Sequence, residues 1–241
     1  MIRVDIHTHI LPGIDDGSRN VAESLQMLKI LADSAVSVAV ATPHFYAESD
    51  HPLHFLKRRE HAANILTSEL SGKLAPHILL GAEVAYFEGI HTCEYVKELA
   101  IQNTRLLLVE LPMCQWTERM FFELTTLLER RGLVPVIAHL DRYRLSGREM
   151  TMVKGFVRDG GLVQLNADSF LSWRTARKSK KLLIDGTAQL IGSDCHNMQT
   201  RPPRIGQVCD EIEKIKKGNL PERMEHTLRT FFPKDILLER S

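Results

Sequence analysis

The sequence predicts an α/β protein built on a parallel sheet wrapped by helices, and three observations carry that expectation. Short apolar runs alternate with helical segments seven times along 241 residues, a length at which α/β barrels are common. Most of these runs are continuously apolar, as in strands covered on both faces of a parallel sheet. Nearly every run closes on a histidine or a carboxylate, so polar side chains gather at the C-terminal ends of the strands, where α/β barrels build their sites.

Taken in order, Ile2-Arg3-Val4-Asp5 runs into His7-Thr8-His9. Residues i and i+2 of a strand share a face, so the two imidazoles point together. A Pro- and Gly-rich loop covers 11–18, and Asn20 with Glu23 resembles a capping box ahead of Val21, Leu25, Leu28 and Leu31 at helical spacing. A second strand over 36–41 leads to Thr42-Pro43-His44, and a helix is expected over 53–70. The third strand, 77–83, ends on Glu83; a short helix near 93–99 precedes the fourth, 105–110, which ends on Glu110. A helix over 117–131 stops at Gly132, and the fifth strand, 134–139, ends on His139. A helix over 149–159, a strand over 162–166 and a helical region near 175–185 follow. The seventh strand and its exit span 189–196, with Asp194 and His196, and helices near 205–217 and 221–231 finish the chain. With no repeat or linker to divide it, one domain over 1–241 is expected.

Composition narrows the function classes. The net charge of +1 gives no reason to expect nucleic acid or an anionic membrane as a general partner. No apolar run is long enough to span a bilayer, and the start lacks a signal-peptide pattern. Cys93, Cys114, Cys195 and Cys209 are scattered without C-x-x-C spacing, which points to a reduced, cytoplasmic setting and away from a thiolate zinc site.

Nine nitrogen and oxygen donors stand out: His7, His9, His44, His139 and His196 with Asp16, Glu83, Glu110 and Asp194. Any one has a bland explanation, since His44 could cap a helix, Glu110 could pair with an arginine and Asp194 could serve a turn. As a set they outnumber the six ligands of an octahedral ion, so two or three divalent ions are expected. Mixed imidazole and carboxylate ligation suits manganese, with iron or zinc as alternatives, over calcium.

At Asp5-Ile6-His7-Thr8-His9, Thr42-Pro43-His44, Gly81-Ala82-Glu83, Ala138-His139 and Gly192-Ser193-Asp194-Cys195-His196 the sequence resembles the polymerase-and-histidinol-phosphatase (PHP) family of metal-dependent phosphoesterases. More narrowly, the stretch from His9 to Ser18, His139-Leu140-Asp141-Arg142-Tyr143 and Arg201-Pro202-Pro203 are similar to bacterial protein-tyrosine phosphatases of capsule and exopolysaccharide operons. The resemblance implies a distorted, TIM-like (β/α)7 barrel with three ions. By position, the first would take His7, His9, Glu83 and Asp194, the second Glu83, Glu110 and His139, and the third Asp16, His44 and His196. It also implies that the substrate is the phosphotyrosine-bearing C-terminal tail of a cognate bacterial tyrosine kinase.

The implied chemistry is attack on a phosphate ester by metal-activated hydroxide, with a phenolate leaving group that needs little protonation. Arg142 and Arg201, just past strand ends, are candidates to grip the phosphate bidentately, against the alternative of surface salt bridges. Phe45, Tyr46, Tyr86 and Tyr143 could line an aryl rim, and Asp141 is a candidate general acid. Rival readings are a histidinol phosphatase or other small-phosphoester hydrolase, an amidohydrolase, a non-catalytic binding protein, and a cysteine-dependent phosphatase using the Cys195-x5-Arg201 spacing. The last lacks a glycine in the intervening loop, and Pro202-Pro203 removes two N–H donors beside it.

Overall fold

The computed structural model describes residues 1–238 as alternating strands and helices. The strands are β1 (Val4–Thr8), β2 (Val38–Ala41), β3 (His44–Phe45), β4 (His77–Leu80), β5 (Glu83–Ala85), β6 (Leu106–Glu110), β7 (Val134–Ile137), β8 (Leu162–Asn166) and β9 (Leu190–Gly192). The helices are α1 (Val21–Asp33), α2 (Pro52–Ser68), α3 (Glu118–Arg131), α4 (Gly147–Arg158), α5 (Asp168–Leu171), α6 (Ala176–Ile184), α7 (Ile205–Glu213), α8 (Leu220–Phe231) and α9 (Lys234–Leu238).

Every pairing is parallel, in the orders β1-β2-β4 and β3-β5-β6-β7-β8-β9. β2 and β3 are two pieces of one strand, broken at Thr42-Pro43, and β4 and β5 are two pieces of another, broken at Gly81-Ala82. The orders therefore join into seven strands. A parallel bridge between Thr8 and Cys195 closes the ring, with Asp194 N donating to His7 O at 2.8 Å and His9 N to Cys195 O at 2.9 Å. The result is the distorted (β/α)7 barrel that the resemblance implied.

One apolar cluster collects Val4, Ile6, Val38, Val40, Leu79, Leu106, Leu108, Val134, Val136 and Leu190, one side of strands all around the ring, and so fills the barrel. Leu228, Phe232, Ile236 and Leu237 from α8, α9 and the turn between them pack on the same cluster. The strand periodicity of two carries that side upward from Leu106 and Leu108 to Glu110, and from Leu162 to Gln164 and Asn166. The inner face thus changes from apolar to polar toward the C-terminal ends. The other faces pack against the helices in a second cluster that includes Leu28, Leu31, Phe55, Leu124, Leu127, Val153 and Val208.

The structure departs from sequence expectation at several borders. The second strand begins at Val38, although Ser37 N already donates to Arg3 O, and the third is split at Gly81-Ala82. The short helix near 93–99 is instead two 3-10 turns, Ile90–Thr92 and Val96–Leu99. The helix expected from 149 starts at Gly147 behind a Ser146–Glu149 capping box. The helix near 205–217 stops at Glu213, ahead of a 3-10 turn in which Gly218 takes φ +68°. At α1 the Asn20 side chain accepts from Glu23 N, but Glu23 reaches back to Arg19 N, one residue beyond the box position.

Candidate metal centre

Six of the seven barrel strands deliver candidate donors at their exits. In β1 the pairing with β2 slips between Asp5 and Thr8, and His7 and His9 aim their Nε2 atoms to within 3.1 Å of each other. Because the Nδ1 atoms of both rings face oxygen acceptors, Gln164 Oε1 and Asp15 Oδ2, both neutral rings turn a bare lone pair at Nε2, and the two gain from meeting only if a cation lies between them or one ring is protonated. Glu83 Oε2 lies 3.1 Å from His7 Nε2 and 3.3 Å from His9 Nε2, and Asp194 Oδ1 is 3.5 Å from both. All four side chains are buried. Glycines at Gly17 and Gly192 permit this approach: a Cβ at either would stand 2.4 Å from His9 Cβ or 2.6 Å from His7 Cβ.

Around this quartet lie two further groupings. His139 Nε2 is 2.8 Å from Glu83 Oε1 and 3.4 Å from Glu110 Oε1, and His44 Nδ1 is 3.0 Å from Glu83 Oε2. On the outer side Asp16 Oδ1 is 3.3 Å from His44 Nε2 and 3.4 Å from His196 Nε2. The sets whose donors close on one point are His7/His9/Glu83/Asp194, His44/Glu83/Glu110 and His9/Asp16/His44/His196. All nine residues singled out in the sequence are therefore in one cluster, although His44 stands by Glu83 and Glu110 as well as by Asp16.

The donors suit a group of divalent cations. Ligand atoms about 2.1 Å from a shared ion lie roughly 3–3.4 Å from each other, which is the spacing seen here. Glu83 Oε2, Asp194 Oδ1, His44 Nδ1 and His196 Nε2 are buried without a hydrogen-bond partner among the described residues, which is costly for polar atoms unless a cation takes them up. Electrostatics agree. Burial alone would raise Glu83, but the His7 charge, the hydrogen bond with His139 and the nearby His44 hold it well below the carboxylate range. Burial disfavours a charged His9, yet Asp15 and Glu83 lift it to about 10; Glu110 and Glu83 likewise lift buried His139 to about 9. His196 is lowered to about 4 by burial and by His9 and Arg201.

Residues that sequence reasoning did not single out orient this cluster. Asp15 Oδ2 accepts from His9 Nδ1 at 2.7 Å and from His44 N at 3.1 Å. Carboxylate support of a histidine's second nitrogen fixes its tautomer and ring direction. β8, the one strand bringing no candidate ligand, supplies Gln164 and Asn166 on its inner face. Gln164 Oε1 accepts from His139 N at 2.7 Å and lies 3.3 Å from His7 Nδ1; its Nε2 donates to Asn166 Oδ1, and Asn166 Nδ2 donates to Asp194 Oδ2 at 2.7 Å. Their spacing at i and i+2 on a buried strand was the available signal.

Both arginines reach the cluster from the rim of the mouth, Arg142 remaining exposed and Arg201 half-buried. Arg201 Nη2 is 2.5 Å and Arg142 Nη1 3.4 Å from Asp194 Oδ2. Of the four aromatics, Phe45 is buried against Phe55, and Tyr86 and Tyr143 turn their hydroxyls to Glu123 and to Leu111 O. Tyr46 alone of the four stays exposed, stacked on His44. Asp141 Oδ1 is occupied by Asn166 N. Cys195 is fully buried, and burial with Asp5 and Asp194 nearby pushes its thiol far up, which removes the thiolate that the cysteine-dependent reading needs.

A (β/α)7 barrel that gathers imidazoles and carboxylates at its C-terminal mouth is a metallohydrolase scaffold. The chain belongs to the CpsB/CapC family of capsular polysaccharide synthesis, whose family model matches residues 3–230. It is 30% identical to CapC of Staphylococcus aureus over 88% of this chain and 84% of that protein. It is 25% identical to the tyrosine-protein phosphatase YwqE of Bacillus subtilis over 90% and 87%. Among solved structures it is similar to one from a study of YwqE and of CpsB from Streptococcus pneumoniae, described as metal-dependent tyrosine phosphatases. The TM-score is 0.78 at 25% identity, over 92% of this chain and 91% of that one.

Proposed function

We propose that the chain is a metal-dependent protein-tyrosine phosphatase of capsular or exopolysaccharide synthesis, acting on the phosphotyrosine-bearing tail of a cognate bacterial tyrosine autokinase. The observation that carries this reading is the meeting of His7, His9, Glu83 and Asp194 within 3.5 Å, with Arg142 and Arg201 beside them. The names borne by YwqE and by the solved relative support the substrate class. The described residues include no helix long and apolar enough to cross a membrane, and the proposed setting is the cytoplasm.

His7, His9, Asp16, His44, Glu83, Glu110, His139, Asp194 and His196 are the proposed ligands of two or three ions, manganese first. When bound, such ions supply a nucleophilic water at neutral pH and a Lewis-acidic hold on phosphoryl oxygens. The protein's own part is positioning and charge. Arg201 and Arg142 present fixed N–H donors where charge develops on the equatorial oxygens, already aligned by Asp194. Asp15 keeps the His9 ring pointed inward, and Tyr46 offers a face for an aryl ring. A phenolate, with a pKa near ~10, leaves with little help from an acid.

The test is hydrolysis of an aryl phosphate and of phosphotyrosine peptides with and without chelator, then with Mn²⁺ restored, beside His139→Ala. Metal-dependent turnover lost in the variant is expected. Preferential turnover of histidinol phosphate would favour a small-phosphoester hydrolase instead.

A further inference from the structure

We propose that the cleft beside Arg142 is a substrate subsite for an acidic residue flanking the phosphorylated tyrosine, with Arg144 as its specificity-determining residue. This deepens the phosphatase reading and rests on it. The cleft, about 260 Å³, runs between the segment carrying Arg142, Arg144 and Leu145 and the segment from Met113 to Trp116 that follows β6. Arg142 belongs to both places: it lines the cleft, and its guanidinium stands 3.4 Å from Asp194. A chain whose phosphate sits at the candidate centre would therefore lead a neighbouring residue past Arg142 into the cleft.

The walls are built rather than accidental. Trp116 meets the Tyr143 ring edge-on at 4.7 Å and donates Nε1–H to Pro112 O at 2.9 Å. The one acid bordering the cleft, Glu149, already accepts from Trp116 N and Ser146 N, which hold its carboxyl below the usual range. Arg144 is exposed and has no ion-pair partner among the described residues, whereas its neighbour Arg148 pairs with Glu118. The cleft thus keeps a cation without an ion-pair partner, with Trp116 and Tyr143 among its walls. A second cleft of about 260 Å³ beside the candidate centre offers no such cation: it is lined by Asp15, Asp16, His44, Asp50 and Arg58, and Arg58 is taken up by Asp50. A peptide crossing the mouth would therefore meet a spare cation on the Arg144 side alone, which selects both composition and direction.

The test uses the metal-loaded enzyme and phosphotyrosine peptides with alanine flanks, with glutamate before, after or on both sides of the phosphotyrosine, and with lysine in the same places. p-Nitrophenyl phosphate, which has no flanks, is the control. Glutamate on one side is expected to raise kcat/KM about two- to fivefold over alanine, mainly through KM, the range for a partly exposed charge pair. Arg144→Gln should erase the preference and Arg144→Glu invert it toward lysine, both leaving p-nitrophenyl phosphate turnover unchanged. Equal turnover of glutamate- and lysine-flanked peptides by the wild type would overturn the proposal, as would Arg144 variants that slow p-nitrophenyl phosphate as much as peptides. Absence of turnover on every phosphate, the control included, would overturn the phosphatase reading itself.

Discussion

Asp194 is where metal-type donors and phosphate-type donors meet. Its Oδ1 faces His7 and His9, while its Oδ2 takes Arg201, Arg142 and Asn166. It holds a left-handed backbone, φ +53°, as does His139 at φ +32°. Non-glycine residues in that region cost of order 1–3 kcal/mol and persist where the surroundings over-determine them. The donors' identities could be read from the sequence, because all but Asp16, which sits in the loop after the first strand, lie where an apolar run closes. The strain could not, nor could the part played by Asp15 beside the candidate ligand Asp16, since only the fold turns Asp15 inward to His9. Asp15→Asn is expected to weaken metal binding about 10- to 100-fold in chelator competition, the usual cost of losing a ligand's orienting carboxylate; unchanged affinity would contradict that role. Cys195→Ser should keep turnover within a few-fold at unchanged metal content, because a buried, un-ionised thiol is no nucleophile. Loss of activity with metal intact would restore the thiolate mechanism.

Among the elements, β8 shows what pattern reading misses. Its apolar run is as plain as the others, but amide side chains at Gln164 and Asn166 are neither charged nor imidazole and so drew no attention as a site. Together they tie His139, His7 and Asp194, from three other strands, into one relay. Gln164→Leu leaves His139 N without its acceptor in a buried setting, so a loss of about 1–3 kcal/mol in denaturant unfolding is expected, with lower metal affinity. An unaltered midpoint would mean the relay is incidental. The capping box at α4 lay in the sequence as Ser146-x-x-Glu149, but Gly147 directly after the serine masked the helix start. Glu149 is depressed by N–H donors from Ser146 and Trp116, so its contribution is complete above its unfolded pKa and fades as pH falls through the lower folded value. Glu149→Gln should therefore be less stable than wild type at pH 7, with the gap closing in acid; a gap that widens as pH falls would contradict the sign.

At the scale of the molecule, seven strand–helix alternations sufficed to forecast a helix-covered parallel sheet, since continuous apolar strands need cover on both faces, while its closure into a barrel was implied by the family resemblance. Where it is distorted was not legible: the breaks at Thr42-Pro43 and Gly81-Ala82, and the closure through Thr8 and Cys195, depend on contacts between segments far apart in sequence. Those breaks matter, because after each of them the strand resumes at His44 or Glu83 and turns that donor into the mouth. The barrel is thus a frame whose upper rim concentrates negative and imidazole groups that only cations can reconcile. The direct measurement is turnover of a phosphotyrosine peptide by exhaustively demetallated protein, with bound metal counted, before and after addition of Mn²⁺. Activity at background without metal and recovered as two or three ions rebind is the expected result; an undiminished rate in the metal-free protein would contradict it.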